Sequence, residues 1–443
     1  MLTTEAPYSL AAKMSSRKVI DTSNGVGVKS QRQRLSDREA LGNDRYRKHM
    51  RIEDRKRLVT IVHVTNVLHH MCVTMNLGAL PYLAKRLEIS NTMWGHLITT
   101  TALLQFLIGP LFGRFGDVCG GRLSLTLSCV AMTTTAAMLS ACNSYQGLLL
   151  SNVPKVFTQV PTAHRMVISD VTDDASRSVE LGTLQISMPV GNLIGSALGG
   201  VLTQTYGTTT TFLFTAILSA VSAVLAWIYM PVQTKQRKDK TMSTRKREII
   251  NFREIARLLK IPAVVHLLGI KFALILANVI IQNTFPIIVR DTFGMGPQEA
   301  GLFAMYKSIA AVVFQIVAIR PLTSRYTDFP LMLLSSLMLT TSYVMATGMT
   351  ERWHLYIFAV SQSFGVNLRN TVIVAALSKA SPREDTGAVM GLGDMVLRLT
   401  QIVSPPISAY ILDHVGYQFL GVTSATITAM VAGFILITKD EFS

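Results

Sequence analysis

Gly109 to Arg122 reads GPLFGRFGDVCGGR and lies between two apolar runs, at roughly 94–112 and 123–142. Each run is long enough to cross a bilayer as a helix. A link this short between two spans needs glycine, because the helix ends and the turn must approach closely. Asp117 places a negative charge at the membrane face, and Arg114 and Arg122 are charges that hold a short loop on the cytoplasmic side. This stretch points to an all-α membrane protein, and the remainder of the sequence can be tested against it.

The 443 residues are 49% hydrophobic and only 15% charged, and the mean hydropathy is +0.37. Soluble domains carry about 25% charged residues. A formal net charge of +16 raises nucleic acid as a partner. The basic residues instead gather in the N-terminal tail and one central loop, which is the distribution the positive-inside rule produces, so no nucleic-acid partner is expected. Cys72, Cys119, Cys129 and Cys142 lie in or beside the apolar runs and suggest no disulfide framework.

Residues 1–56 are polar and basic and read as a disordered cytoplasmic tail. Apolar runs follow at about 57–84, 94–113, 123–142, 145–169, 179–204, 209–231, 263–289, 298–319, 329–349, 353–377, 387–412 and 417–437. About twelve spans are expected, with both termini on one side. Alternate loops carry the basic residues, which places that side in the cytoplasm, although Lys85 and Arg86 in the first exterior loop oppose the trend. The loop at 232–262 divides the spans six and six: an N-terminal bundle at 57–231 and a C-terminal bundle at 263–437, with 438–443 a short cytoplasmic end. Within that loop Lys235 to Arg247 is a charge run, and Ile249 to Lys260 has the spacing of an amphipathic interfacial or linker helix.

Gly113, Asp117, Gly120 and Arg122 match the signature loop of the major facilitator superfamily, which the chain resembles; Val118 and Gly121 replace two of its basic positions. Gly182, Gly191, Gly195, Gly199 and Gly200 in the fifth run have the spacing of a small-residue packing seam. The same spacing resembles the fifth-helix motif of drug/proton antiporters, with Ser196 in place of a proline, and Ile168 to Asp173 resembles tetracycline-type antiporters. Pro81-Tyr82-Leu83, Met166 to Asp170 and Asp385-Thr386-Gly387 are similar to the organic cation transporter-like branch. The resemblance covers about 57–437 and implies two six-helix bundles around a central pathway. It also implies secondary-active transport of a small organic solute, an organic cation or drug, by alternating access with proton antiport. Because helix N-termini carry partial positive charge, Asp117 is expected to face the start of the eleventh span near Thr386 and Gly387.

Ionisable residues within spans are costly and are functional candidates by default. They are His69, Lys155, Lys271, Lys307, Arg369, Asp394 and Arg398, with Asn76 as a polar neighbour. The resemblance implies an acid where His69 stands and an arginine where Asn152 stands, with Lys155 one turn away. Asp394 is the deep carboxylate, and Arg398 four residues on shares its helix face as an ion pair or a solute site. Deep cations outnumber it, which favours an anionic solute. Asp173 with Asp174 and Glu384 with Asp385 read as helix starts rather than metal pairs. No Walker-type loop, zinc spacing or nucleophile elbow appears, so neither an enzyme, a cofactor nor a bound metal is expected. Two alternatives stay open: an organic-anion transporter, and a transporter-derived scaffold or sensor that no longer transports. The expected partners are the lipid bilayer, a small organic solute and protons, with the chain a monomer.

Overall fold

The computed structural model describes residues 52–171, 174–230, 257–380 and 386–438, and the regular structure among them is entirely helical. The first half contains α1 (Ile52–Arg86), α2 (Asn91–Cys119), α3 (Gly121–Ser140), α4 (Tyr145–Leu150), α5 (Asn152–Lys155), α6 (Val160–Val171) and α7 (Asp174–Tyr229). The second contains α8 (Pro262–Asp291), α9 (Pro297–Phe314), α10 (Arg320–Arg325), α11 (Asp328–Thr347), α12 (Arg352–Ala380), α13 (Thr386–His414) and α14 (Tyr417–Ile437). A single π-helical turn, Gln315–Ile319, joins α9 to α10.

Local chemistry sets the helix starts. Ser90 accepts a hydrogen bond from the Met93 amide, and Ser144 accepts one from the Gly147 amide, both at 3.2 Å; each satisfies a donor that the first turn leaves unpaired. Pro262 and Pro297 occupy the first turns of α8 and α9, where a missing N–H costs nothing. Gly120 is the whole link between α2 and α3, and its φ of +86° is one a side chain would resist.

Eight stretches among the described residues are long and apolar enough to cross a membrane. One of them, Ser187–Tyr229, runs for 43 residues and contains two arms. Gly207 breaks it with φ +82°, and the hydroxyls of Thr203 and Thr211 meet at 2.9 Å. Eight residues of straight helix would separate those positions by about 12 Å, so the chain folds back at Gly207. With both arms counted, the apolar stretches give nine passes among the described residues, and α2, α12 and the stretch from Tyr145 to Val171 lie between them in the chain.

The run at 145–169, expected as one continuous span, is broken into α4, α5 and α6. Pro154 and Pro161 interrupt its ladder. Ser128 on α3 replaces part of what is lost, donating to the Phe157 carbonyl at 3.0 Å and accepting from the Gln159 amide at 3.3 Å.

Each half has its own core. Leu58, Val62, Leu125, Val167 and Ala226 belong to one, and Leu267, Ile280, Tyr343, Phe358 and Val431 belong to the other. A third cluster joins them, placing Ile287 of α8 among Ala79, Leu83, Trp94, Leu97 and Phe212. The halves meet chiefly where α7 packs on α9 and α2 packs on α13.

Candidate functional site

The interface between the halves has two dissimilar ends. At the end where α1, α8 and α13 finish, it is a seam of direct bonds. The Trp94 indole donates to the Asn283 carbonyl at 3.1 Å. Asn91 Nδ2 and Thr92 Oγ1 donate to the two carboxylate oxygens of Asp413, at 2.8 and 2.6 Å. Tyr82 donates to the Met295 carbonyl at 3.0 Å, and Arg290 donates to the Pro81 carbonyl. Small residues allow this approach: a Cβ on Gly200 would lie 2.7 Å from the Pro297 carbonyl oxygen and 3.0 Å from the Gly301 Cα, and one on Gly95 would lie 2.8 Å from the Ala409 Cβ.

Toward the other end the facing helices carry charge. Arg398 of α13 donates to Gln105 Oε1 of α2 at 3.3 Å, a bond across the halves. Arg398 feels the charges of Asp394 on its own helix and of Arg165 on α6. Lys271 of α8 feels those of Asp394 and Arg369, and its Nζ would sit 2.6 Å from a Cβ on Gly393. Asp394 and Arg165 are exposed. Cations of both halves therefore gather around one carboxylate, with Gln105 as a neutral acceptor between them.

The sequence candidates separate into several environments. Lys271, Asp394 and Arg398 fall together at this charged stretch, but Asp394 and Arg398 form no ion pair within 4.0 Å, because the guanidinium turns to Gln105 instead. Arg369 is 4% exposed and is bound by the Leu274 carbonyl at 2.9 Å and by Asn370 Oδ1 at 2.9 and 3.2 Å, so it ties α12 to α8. Lys307 donates to Gln362 at 2.7 Å and lies 5.8 Å from the Phe285 ring centre, inside the second half. His69 is buried in the first half with its ring edge against His70 at 5.2 Å. The Asn76 side-chain oxygen is buried without a hydrogen-bond partner. Lys155 ends the short helix α5, beside Asn152, which is itself buried.

The glycine motif serves two contacts. Gly191, Gly195 and Gly199 lie against α1, where a Cβ on Gly191 would be 2.5 Å from the Val67 carbonyl and one on Gly195 would collide with Thr74 and the Met71 carbonyl. Gly200 belongs to the seam between halves. In the signature loop, Gly120 makes the turn and the Arg122 guanidinium lies 4.4 Å over the Trp227 ring. The surroundings of Gly113, Asp117 and Gly182 are outside the described residues, as are the Asp117–Thr386–Gly387 contact, Asp173, Glu384, Asp385 and the helix expected at 249–260, apart from its last residues. No group of three or more metal-ligating side chains occurs among the described residues.

Gln105, Asn91, Thr92 and Asp413 were not among the sequence candidates. Asp413 pairs with residues more than 320 positions away, and no local pattern signals such a contact. An open groove of about 560 Å³ lies on the face of α8 and α14 around Gly269, Met430 and Phe434.

The family model described as Major Facilitator Superfamily matches residues 62–277 and 267–442. Among curated relatives, the chain is 28% identical over 374 residues to solute carrier family 22 member 18 of Mus musculus, covering 83% of this chain and 92% of that protein. It is 24% identical over 366 residues to the tetracycline resistance protein, class D, of Salmonella ordonez, covering 80% and 89%. Among solved structures, a bacterial homolog of the human lysosomal transporter Spinster, in an inward-facing and unoccupied conformation, aligns with a TM-score of 0.71 at 13% identity. That alignment covers 89% of this chain and 98% of the other.

Proposed function

The chain belongs to the major facilitator superfamily, a family of membrane transporters rather than enzymes, and from that premise we propose that it is a secondary-active carrier of a small organic solute. The two halves rock about their interface, and the solute passes between them with a proton moving the opposite way. Both termini face the cytoplasm, and a single chain encloses the path. The observation that supports this reading is the asymmetry of the interface: a bonded seam at one end, and at the other Lys271, Asp394 and Arg398 beside a cross-half bond to Gln105. Charged groups with no acid at ion-pair distance retain their hydrogen-bonding capacity for a ligand.

The relatives named for drug resistance favour a cationic or drug-like solute. The charge count around Asp394 favours an anion, and this second reading rests on that count alone. Uptake into proteoliposomes distinguishes them, using labelled tetraphenylphosphonium as the cation and labelled p-aminohippurate as the anion, each with and without a pH gradient. Gradient-dependent accumulation of one probe above protein-free vesicles is expected. If folded protein moves neither, the scaffold alternative replaces the transport reading.

A further inference from the structure

The charged stretch between the halves is not the only titratable cluster. A second lies within the bundle, where α1, α6 and α7 meet. His63 Nε2 lies 3.5 Å from Glu180 Oε2 on α7, with side-chain exposures of 19% and 30%. His63 Nδ1 is buried with no hydrogen-bond partner. Beside it, His164 of α6 meets the Thr65 hydroxyl through Nε2 at 2.9 Å, and its own Nδ1 is also buried without a partner. His70 acts electrostatically on His164, and His63 does as well.

These contacts fix the tautomers. Glu180, as a carboxylate, only accepts, so His63 presents Nε2–H to it and leaves Nδ1 bare. Thr65 spends its one proton on the Val62 carbonyl at 3.0 Å; it therefore accepts from His164 Nε2–H, and His164 Nδ1 is bare too. A further proton on either ring would create a buried N–H with no acceptor, which is strongly disfavoured. The conformation latched at Asp413 thus offers no acceptor for a second proton on either ring, while the partial exposure of His63 and Glu180 leaves the pair open to water.

We infer that His63 and Glu180, backed by His164, form the proton-binding site that couples proton movement to the rocking of the halves. This rests on the proposed transport function. The proton binds at His63 Nδ1 in the alternative conformation, where an acceptor for it must be supplied, and leaves in the conformation seen here. Among the described residues, the titratable groups facing the pair are His164 from α6, Glu180 from α7 and His70 from its own helix. Asn66 binds Ser187 and the Leu184 carbonyl next to them, at 2.7 and 3.2 Å, and fixes α1 against α7. The glycines at 191, 195 and 199 hold the same two helices close, so a rearranged hydrogen bond at the pair is transmitted along that contact.

Two measurements test this. The first is independent of transport: pH-difference infrared spectra of the purified protein in nanodiscs, compared with His63→Gln and Glu180→Gln. An imidazole ring band that changes with pH should be present in the wild type, absent in His63→Gln and displaced in Glu180→Gln. The second is flux of whichever probe the wild type carries. Both variants should lose accumulation driven by the pH gradient, by about tenfold, while retaining exchange of labelled for unlabelled probe when no gradient is present. A spectrum without the band, or gradient-driven accumulation at the wild-type level in both variants, overturns the inference. If the wild type moves neither probe, the transport reading fails, and the infrared result alone decides whether the pair binds a proton.

Discussion

The two ends of the half-to-half interface are built from opposite chemistry. At the Asp413 end, a carboxylate meets two neutral donors, backbone carbonyls meet a tyrosine, an indole and a guanidinium, and glycines bring backbones together. Its groups have their partners within the protein. At the Arg398 end, among the described residues, Lys271, Arg398 and Arg165 outnumber the carboxylate of Asp394, and Gln105 reaches across to Arg398. The first end is complete as it stands, which suits a closed gate. The second is left unsatisfied by the protein itself, which suits a place where something else binds. An interface can therefore latch and receive a ligand at the same time, provided that the two tasks occupy different depths.

The sharpest way to break this comparison is to crowd the seam. Gly200→Leu forces a side chain onto the Pro297 carbonyl and the Gly301 backbone, and overpacking of this kind costs about 1–3 kcal/mol, sometimes more. Spin-label distances between the halves should lengthen at the Asp413 end, with the cores of the halves intact. Gly195→Leu strikes α1 within one half instead, so it should lower the thermal midpoint without a specific change in that distance. Equal behaviour of the two variants would mean that the seam is not a separate unit.

A smaller effect is expected from Asp413→Ala. It removes the acceptor for Asn91 and Thr92 in an exposed setting. About 1 kcal/mol is lost, roughly a fivefold shift away from the latched state. Labelling rates of a cysteine placed at the seam should rise accordingly; an unchanged rate would assign the latch to Trp94 and the glycines.

The smallest effect belongs to the other end. Because Asp394 is exposed and does not contact Arg398, Asp394→Asn should change stability by less than about 1 kcal/mol. A buried ion pair would cost about 3–5 kcal/mol when broken, so a thermal scan separates the two cases. The same variant should hold or raise p-aminohippurate uptake if the solute is an anion.

Much of the architecture was legible along the chain. Apolar runs of membrane length and the glycine turn at Gly120 are local properties of the chain. The run at 145–169 misled because its mean composition is apolar while Pro154, Pro161 and the Ser128 contacts from another helix break it. The pairing of Asp394 with Arg398 was a fair reading of helical spacing. It failed at the level of rotamers, since Gln105, nearly three hundred positions away, offered Arg398 an acceptor.

The sequence by itself determined that this is a helical membrane protein of two halves, because the transfer of apolar segments out of water depends on composition in windows of about twenty residues. It also supplied the glycine spacing that lets helices pack closely. Only the tertiary structure decided what those glycines touch, that Gly200 joins the halves while Gly195 joins helices within one, and that the interface is bonded at one end and charged at the other. It alone brought Glu180 to His63 and left two imidazole nitrogens bare. Hydrogen bonds act over about 3 Å whatever the distance along the chain, so partners a hundred or three hundred residues apart are fixed by packing and leave no trace in local pattern.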